Sequence, residues 1–264
     1  MNPVTTERTS TGDPARTLRL LWRETVGEPR RGPRRGLSVD AVVDAATALA
    51  DAEGLTALTM RRVAQALGVV PMTLYTYVPG KAELLDLMLD AAYARMPRDD
   101  IAARPWRERV RTVADGNMAL FETHPWAADV STTRPLLGPG QMAKYEYELS
   151  ALDGLGLDDV AMDDCLTHVL GFAQSCARAA ADARAVERDS AMSEREWWEA
   201  NAPLLARVLD PAAYPTASRV GAAAGAAHGS AYSPRHAYAF GLARVLDALA
   251  ALIEDHAPVE RPPS

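Results

Sequence analysis

Apolar residues recur along this chain at three- and four-residue intervals, and no stretch of any length alternates, which predicts helices almost throughout. Leu18, Leu21 and Trp22 share one helical face within residues 14–26. Val39, Val42, Val43, Ala46, Leu49 and Ala50 trace a second helix, with Ser38 as N-cap, Asp40 in its first turn and Gly54 at its end. Thr59 caps a third over 60–67, whose inward face is Val63, Ala64 and Leu67, and Gly68 supplies a turn. Pro71 opens a short helix running to about residue 78, stopped by Pro79-Gly80. Residues 81–96 read as a longer amphipathic helix ended by Pro97. Further helices are expected near 105–123, 125–131, 139–153, 158–187, 193–209 and 233–256, most of them separated by Gly or Pro. Residues 211–232 are small, Gly-rich and weakly patterned, and are expected to be a long mobile loop.

Composition narrows the class. Ala dominates and β-branched runs are short, favouring helix over sheet. With 264 residues, 48 % of them apolar, the chain can bury a substantial core in one large or two small domains. Two cysteines, Cys165 and Cys176, are too few for a disulfide framework, so a reduced cytoplasm is expected. They lie three helical turns and roughly 16 Å apart, too far to pair within one helix. No signal peptide is recognisable, and the apolar stretch 237–253, broken by Arg244 and Asp247, is expected to be a buried helix and not a membrane span.

Charge is unevenly spread. The net charge is −7, yet residues 15–81 hold ten Lys/Arg against six Asp/Glu, whereas residues 82–264 carry −10. A basic front and an acidic rear suit a protein that presents one end to a polyanion. The segment 56–81, TALTMRRVAQALGVVPMTLYTYVPGK, has the layout of a helix-turn-helix: short amphipathic helix, Gly turn, second short helix. In PMTLYTYV, Leu74 and Val78 share an anchoring face, and Met72, Thr73, Tyr75 and Tyr77 are free to point outward. Thr offers a hydroxyl to phosphate or base and a methyl to thymine, and Tyr a flat ring with a hydroxyl tip. Taken alone, Tyr75 and Tyr77 read better as half-buried aromatics, and it is the whole ordered string that weakens that reading. Arg61, Arg62 and Lys81 flank the motif as candidate phosphate contacts. The leader GEPRRGPRRG holds Arg30, Arg31, Arg34 and Arg35. Two readings of it stand, a phosphate or minor-groove contact and a solvated tether.

The string GLTALTMRRVAQALGVVPMTLYTYVPGKAELLDLML closely resembles the DNA-binding domain of TetR-family transcriptional regulators over about residues 37–90. AYAFGLARVLDALAALI and TTRP at 132–135 resemble the last helix and a ligand-domain segment of the branch that includes the tetracycline repressors. The resemblance implies a cytoplasmic homodimer whose third helices enter the major groove of a palindromic operator in double-stranded DNA. By position it implies that Arg61 contacts DNA, that Pro71, Met72, Thr73, Tyr75 and Tyr77 occupy the recognition helix, and that Lys81 bonds a phosphate. Arg34 and Arg35 of the leader join the DNA-binding candidates. Tyr77 stands where the family often has His, and Pro71-Met72 where tetracycline repressors have Gln-Pro, so a tetracycline operator is not expected. Anchored on TTRP, the metal-binding His of those repressors falls at Val130, and the Asn and Phe that hold the drug fall near Thr112 and Gly116. A different small-molecule effector, no metal and no cofactor are therefore expected.

In the rear half, a drug-like pocket needs apolar walls with a few polar anchors. Phe121, Trp126, Met142 and Phe172 are candidate walls, and Asn117, Arg134, His168 and Gln174 candidate anchors, though each singly reads as readily as an ordinary core or surface residue. The last helix is apolar nearly all round, and Phe240, Gly241, Arg244 and Ala248 are candidates for a dimer interface in which it pairs with helix 158–187. The expected fold is all-α: a flexible basic leader over 1–36 with room for a short helix, a three-helix helix-turn-helix domain over 37–83, a larger helical ligand-binding and dimerisation domain over 84–256, and a tail over 257–264. The expected function is a DNA-binding repressor released by an effector. A regulator governed by a protein partner is the alternative, separable by whether the rear domain has a deep cavity or a filled core. No nucleophile–base pair, metal cluster or phosphate loop supports an enzyme.

Overall fold

The computed structural model describes residues 7–24, 37–130, 132 and 134–256, so Arg30, Arg31, Arg34, Arg35 and the tail lie outside the described residues. In chain order the helices are α1 (Pro14–Leu21), α2 (Val39–Glu53), α3 (Met60–Ala66), α4 (Pro71–Tyr75), α5 (Lys81–Ala94) and α6 (Trp106–Thr123). They continue with α7 (Pro125–Asp129), α8 (Pro139–Ser150), α9 (Asp159–Ser190), α10 (Glu194–Val208), α11 (Pro215–His228) and α12 (Pro234–His256). The fold is all-α, with no β-strand among the described residues. The caps explain the boundaries. The Ser38 hydroxyl accepts from the Ala41 N–H at 3.1 Å and the Thr59 hydroxyl from the Arg62 N–H at 3.2 Å. Gly68 takes φ +67°, the left-handed turn between α3 and α4.

The structure departs from the sequence pattern in three places. First, α4 ends at Tyr75 and not near Val78, since Pro79 holds the residue before it out of the helical region and the Thr76 hydroxyl turns back to the Thr73 carbonyl at 2.7 Å. Second, α5 is buried on nearly every side, Glu83, Asp86 and Asp90 included, rather than amphipathic. Its acids bond backbone: Asp86 accepts from the Ser10 N–H at 3.0 Å, and Asp90 from the N–H groups of Gly140 and Gln141 at 3.2 and 2.8 Å. Helices α5 and α8 approach so closely that a Cβ on Gly140 would lie 2.0 Å from the Asp90 carbonyl oxygen. Third, residues 215–228 are helix α11 and not loop. Alanine's propensity, Pro215 at the first turn and Gly229 at φ +63° define it, and Gly225 gives Trp198 of α10 a seat where a Cβ would come within 2.7 Å of its ring.

Two cores result. One joins α2–α5 to the end of α6, to α7 and to Val130 and Leu136 through Val42, Leu58, Leu74, Met88, Phe121 and Trp126. The other packs α6, α8, α9 and α12 through Val113, Leu152, Val169, Leu242 and Leu246. Helix α6 contributes to both, which ties front to rear. By length and composition Pro234–Glu254 would suffice to cross a membrane, with mean hydropathy 1.4. Its buried residues Leu242, Val245, Leu246 and Leu249 face the second core.

Candidate nucleic-acid interface and effector cavity

The helix-turn-helix presents its short second helix outward. Leu74 and Val78 are fully buried, and they anchor α4 against Val63 and Ala64 of α3 within the first core. On the opposite side Met72 is 75 % exposed and Val70, Pro71 and Tyr75 stand open to solvent. Thr73 is half-buried at the edge. Tyr77 falls past the C-cap Thr76 and lies half-buried against the core, outside the helix on which the sequence pattern put it. Arg61 is exposed on α3 and carries no ion pair among the described residues. Its neighbour Arg62 is held by Glu53 through two hydrogen bonds of 2.6 and 2.8 Å, which keep the Glu53 carboxyl below its ordinary pKa. Lys81 stands at the start of α5, but its ammonium pairs with Glu7 at 2.6 Å and reaches the Leu55 carbonyl at 3.3 Å.

Glu7 belongs to an arm that the sequence pattern did not show to be docked. The Thr9 and Ser10 hydroxyls donate to the carbonyls of Arg134 and Pro135, Leu21 enters the first core, and the Trp22 indole N–H donates to the Leu137 carbonyl at 2.7 Å. Burial pushes the Asp86 carboxyl up to about 6, opposed by the Ser10 N–H and assisted by the charge of Glu83.

One face of α2 carries a row of acids, Asp40, Asp44 and Asp51, each engaged by another part of the chain. Arg23 of the arm holds Asp40 at 2.6 Å, and Arg95, the C-cap of α5, pairs with Asp44. Asp51 receives the Trp126 indole N–H at 2.7 Å and lies 2.8 Å from Nδ1 of His124, the C-cap of α6.

Between α5, α6 and α8 lies a cavity of about 570 Å3. Ala92, Met96, Val113, Gly116, Ala119 and Leu120 supply apolar wall, and Arg95, Arg104, Thr112, His124, Tyr147 and Glu148 polar edges. Glu148 is buried and accepts from Lys144 at 2.7 Å and from Asn117 at 2.6 Å, while the Lys144 ammonium sits 5.1 Å from the centre of the Tyr93 ring. Burial lowers the Lys144 pKa, and the Glu148 charge opposes that shift. A second cavity of about 600 Å3 lies across α6, between α9 and α12, and shares Asp115 and Ala119 with the first.

Comparison with known proteins agrees with this layout. Residues 42–88 match the family described as bacterial regulatory proteins, tetR family, and residues 101–253 match the tetracyclin repressor-like C-terminal domain. The chain belongs to the TetR family. It is a DNA-binding transcriptional regulator and not an enzyme. This TetR-family chain is 38 % identical over 250 residues to the HTH-type transcriptional repressor DrrR1 of Streptomyces coeruleorubidus, covering 94 % of this chain and 90 % of that protein. Among solved structures it is similar to ActR of Streptomyces coelicolor in complex with actinorhodin, at TM-score 0.69 and 25 % identity, covering 83 % of this chain and 97 % of that one. Apo ActR has the same fold at TM-score 0.69 and 24 % identity, covering 85 % and 100 %.

The ligand candidates read from the sequence are scattered in the regulator. Asn117 is buried beside the first cavity, bound to Glu148. Phe121 and Trp126 are buried in the first core, and the Gln174 amide donates to the Ala128 carbonyl. Phe172 stacks on Tyr238. His168 and Met142 are exposed, and Arg134 lines a slot beside the arm. None of these residues lines the cavity between α5, α6 and α8. The residues that do line it, Arg95, Arg104, His124, Tyr147 and Glu148, sit at helix ends or in pairs that only the fold brings together. Lys144 and Glu148, four apart on α8, were the one legible signal. Of the dimer candidates, Phe240, Arg244 and Ala248 are exposed on α12, with the Arg244 guanidinium 5.2 Å from the centre of the Phe240 ring. Gly241 faces inward, since a Cβ there would meet the Phe172 ring at 2.5 Å, so its smallness serves α9–α12 packing within the chain.

Proposed function

We propose that this regulator is a homodimeric repressor that sits on a palindromic operator and leaves it when a small molecule enters the cavity between α5, α6 and α8. The cavity itself carries the reading: it is a cleft open to solvent on one side, and about 570 Å3 suits a drug-sized molecule that a rear domain governed only by a protein partner would not need to hold. The likeness to ActR, seen in complex with actinorhodin and with (S)-DNPA, and to the repressor DrrR1 supports it. The walls are mostly apolar with charged edges, which favours a multi-ring or amphipathic molecule over a metal chelate.

The DNA face is Arg61 on α3 with Pro71, Met72, Thr73 and Tyr75 around α4. Tyr77 supports this face from behind, and Lys81 meets a phosphate once Glu7 lets it go. Dimerisation uses the exposed sides of α9 and α12. Only 22 % of the apolar window of α12 is buried within one chain, and Phe240 is 57 % exposed. A second copy around a two-fold axis would cover that stripe and set two recognition helices about one turn of DNA apart. DNA binding places the protein in the cytoplasm.

The test is to select bound duplexes from a random library, then screen compounds for release of the selected site. A palindromic consensus and release by a compound that also raises the melting temperature support the proposal. A non-repeating consensus, or no release by any compound that binds the cavity, would contradict it.

A further inference from the structure

Two residues that line the cavity also hold the first helix of the DNA-reading unit. Arg95 ends α5 and pairs with Asp44, and His124 ends α6 and bonds Asp51. Asp44 and Asp51 are seven residues apart on α2, two turns, so helix geometry sets them about 10 Å apart along its axis. The ends of the two cavity walls are thus fastened to one rigid rod. Between the fastenings, on the same face, Thr47 is buried and its hydroxyl has no hydrogen-bond partner among the described residues, so this stretch of α2 is packed against its neighbours.

We infer that α2 is a strut across the cavity, and that Arg95 and His124 are positioning residues through which α2 senses what the cavity contains. An occupant that spreads the ends of α5 and α6 cannot stretch the distance between Asp44 and Asp51. It must break one fastening or tilt α2. Tilting α2 carries the recognition helix along, because Val42, Val43, Ala46 and Ala50 are sealed against Val63, Ala64 and Leu74 in one core. Trp126, in the first turn of α7, donates to the same Asp51 oxygen that His124 approaches, so the α6–α7 corner is fastened twice and the α5 end once. Opening therefore starts at Arg95–Asp44, an exposed pair, while the half-buried Asp51 end acts as the pivot. This rests on the effector reading above and makes α2 the sensing element.

The test fills the cavity without a ligand. Gly116 lines it, and a side chain built there meets nothing within 4 Å of its Cβ. Gly116→Trp is expected to weaken binding to the selected operator at least tenfold in the otherwise native chain. In an Asp44→Asn/Asp51→Asn background the same insertion is expected to cost threefold or less, each measured against its own parent. Equal costs in the two backgrounds, or no cost in the native one, would overturn the strut. Ala119→Trp, one turn along the same wall, repeats the cycle should Gly116→Trp lose its helical circular dichroism. Hydrogen exchange of the α2 amides gives a readout without DNA: filling the cavity should raise exchange in α2 only while Asp44 and Asp51 are intact. If that coupling is present and no palindromic operator is found, the repressor reading falls and the strut stands. If a compound releases the operator and α2 exchange does not move, the strut falls alone.

Discussion

Lys81 shows how a contact can be both anticipated and pre-empted. Its place at the start of α5 suits a phosphate, yet Glu7 occupies it at 2.6 Å. A single half-buried pair, still reached by solvent, is worth roughly 0.2–1 kcal/mol. Glu7→Gln is therefore expected to tighten operator binding by up to about fivefold, read by fluorescence polarisation at fixed salt; weaker binding would mean that Glu7 helps hold the DNA face. Arg61, exposed and without an ion pair among the described residues, has no such competitor. Arg61→Ala should weaken binding and lower the salt slope by about 0.9 if it touches one phosphate; an unchanged slope with relaxed sequence preference would make it a base contact instead. Asp86 tests a buried acid. Its carboxyl is raised from 3.8 to about 6 in the folded chain, so the native state binds the proton more tightly than the unfolded one. The sign follows: Asp86 costs stability above its folded pKa, and the cost disappears as pH falls from about 6 toward 4. Asp86→Asn should be more stable than the native chain at pH 7.5, by at most about 3 kcal/mol, and lose most of that advantage by about pH 4. Urea unfolding at the two pH values measures it.

Helix positions were largely legible because capping and spacing are local. Ser38, Thr59, Gly68 and Pro71 stand where the pattern put them. The failures share one cause, packing that no local window contains. Alanine-rich 215–228 looks unpatterned because its seat under Trp198 uses a glycine, not a hydrophobic stripe. Acids of α5 look solvent-facing until the arm and α8 cover them. The cavity was illegible for the same reason, since its polar edges lie at the ends of α5 and α6 and on α8. Two glycine substitutions with opposite signs check these elements. Gly221→Ala, within α11 and with nothing near its Cβ, should stabilise by about 0.5–1 kcal/mol if the segment is helix. Gly140→Ala should destabilise by about 1–3 kcal/mol, because its Cβ meets the α5 backbone. Thermal unfolding of both decides; a stable Gly140→Ala would mean that α5 and α8 are not locked.

The whole protein joins a reading head to a hollow rear body through a shared core, with α6 in both cores and the strip of α2 acids on the seam. On the proposed reading, two such bodies pair through the exposed side of α12. Phe240→Glu should therefore give a folded monomer by sedimentation, with helical content retained and palindrome binding lost; a dimer that persists would move the interface away from α12. Release by an effector requires coupling between cavity and DNA, and that coupling must be reciprocal. The most direct measurement takes one compound that binds the cavity and determines its affinity for the free protein and for the operator complex, alongside operator affinity with and without compound. If cavity and DNA face are coupled, the same loss, tenfold or more, appears in both directions. A compound that fills the cavity, stabilises the protein and leaves both affinities equal would contradict it.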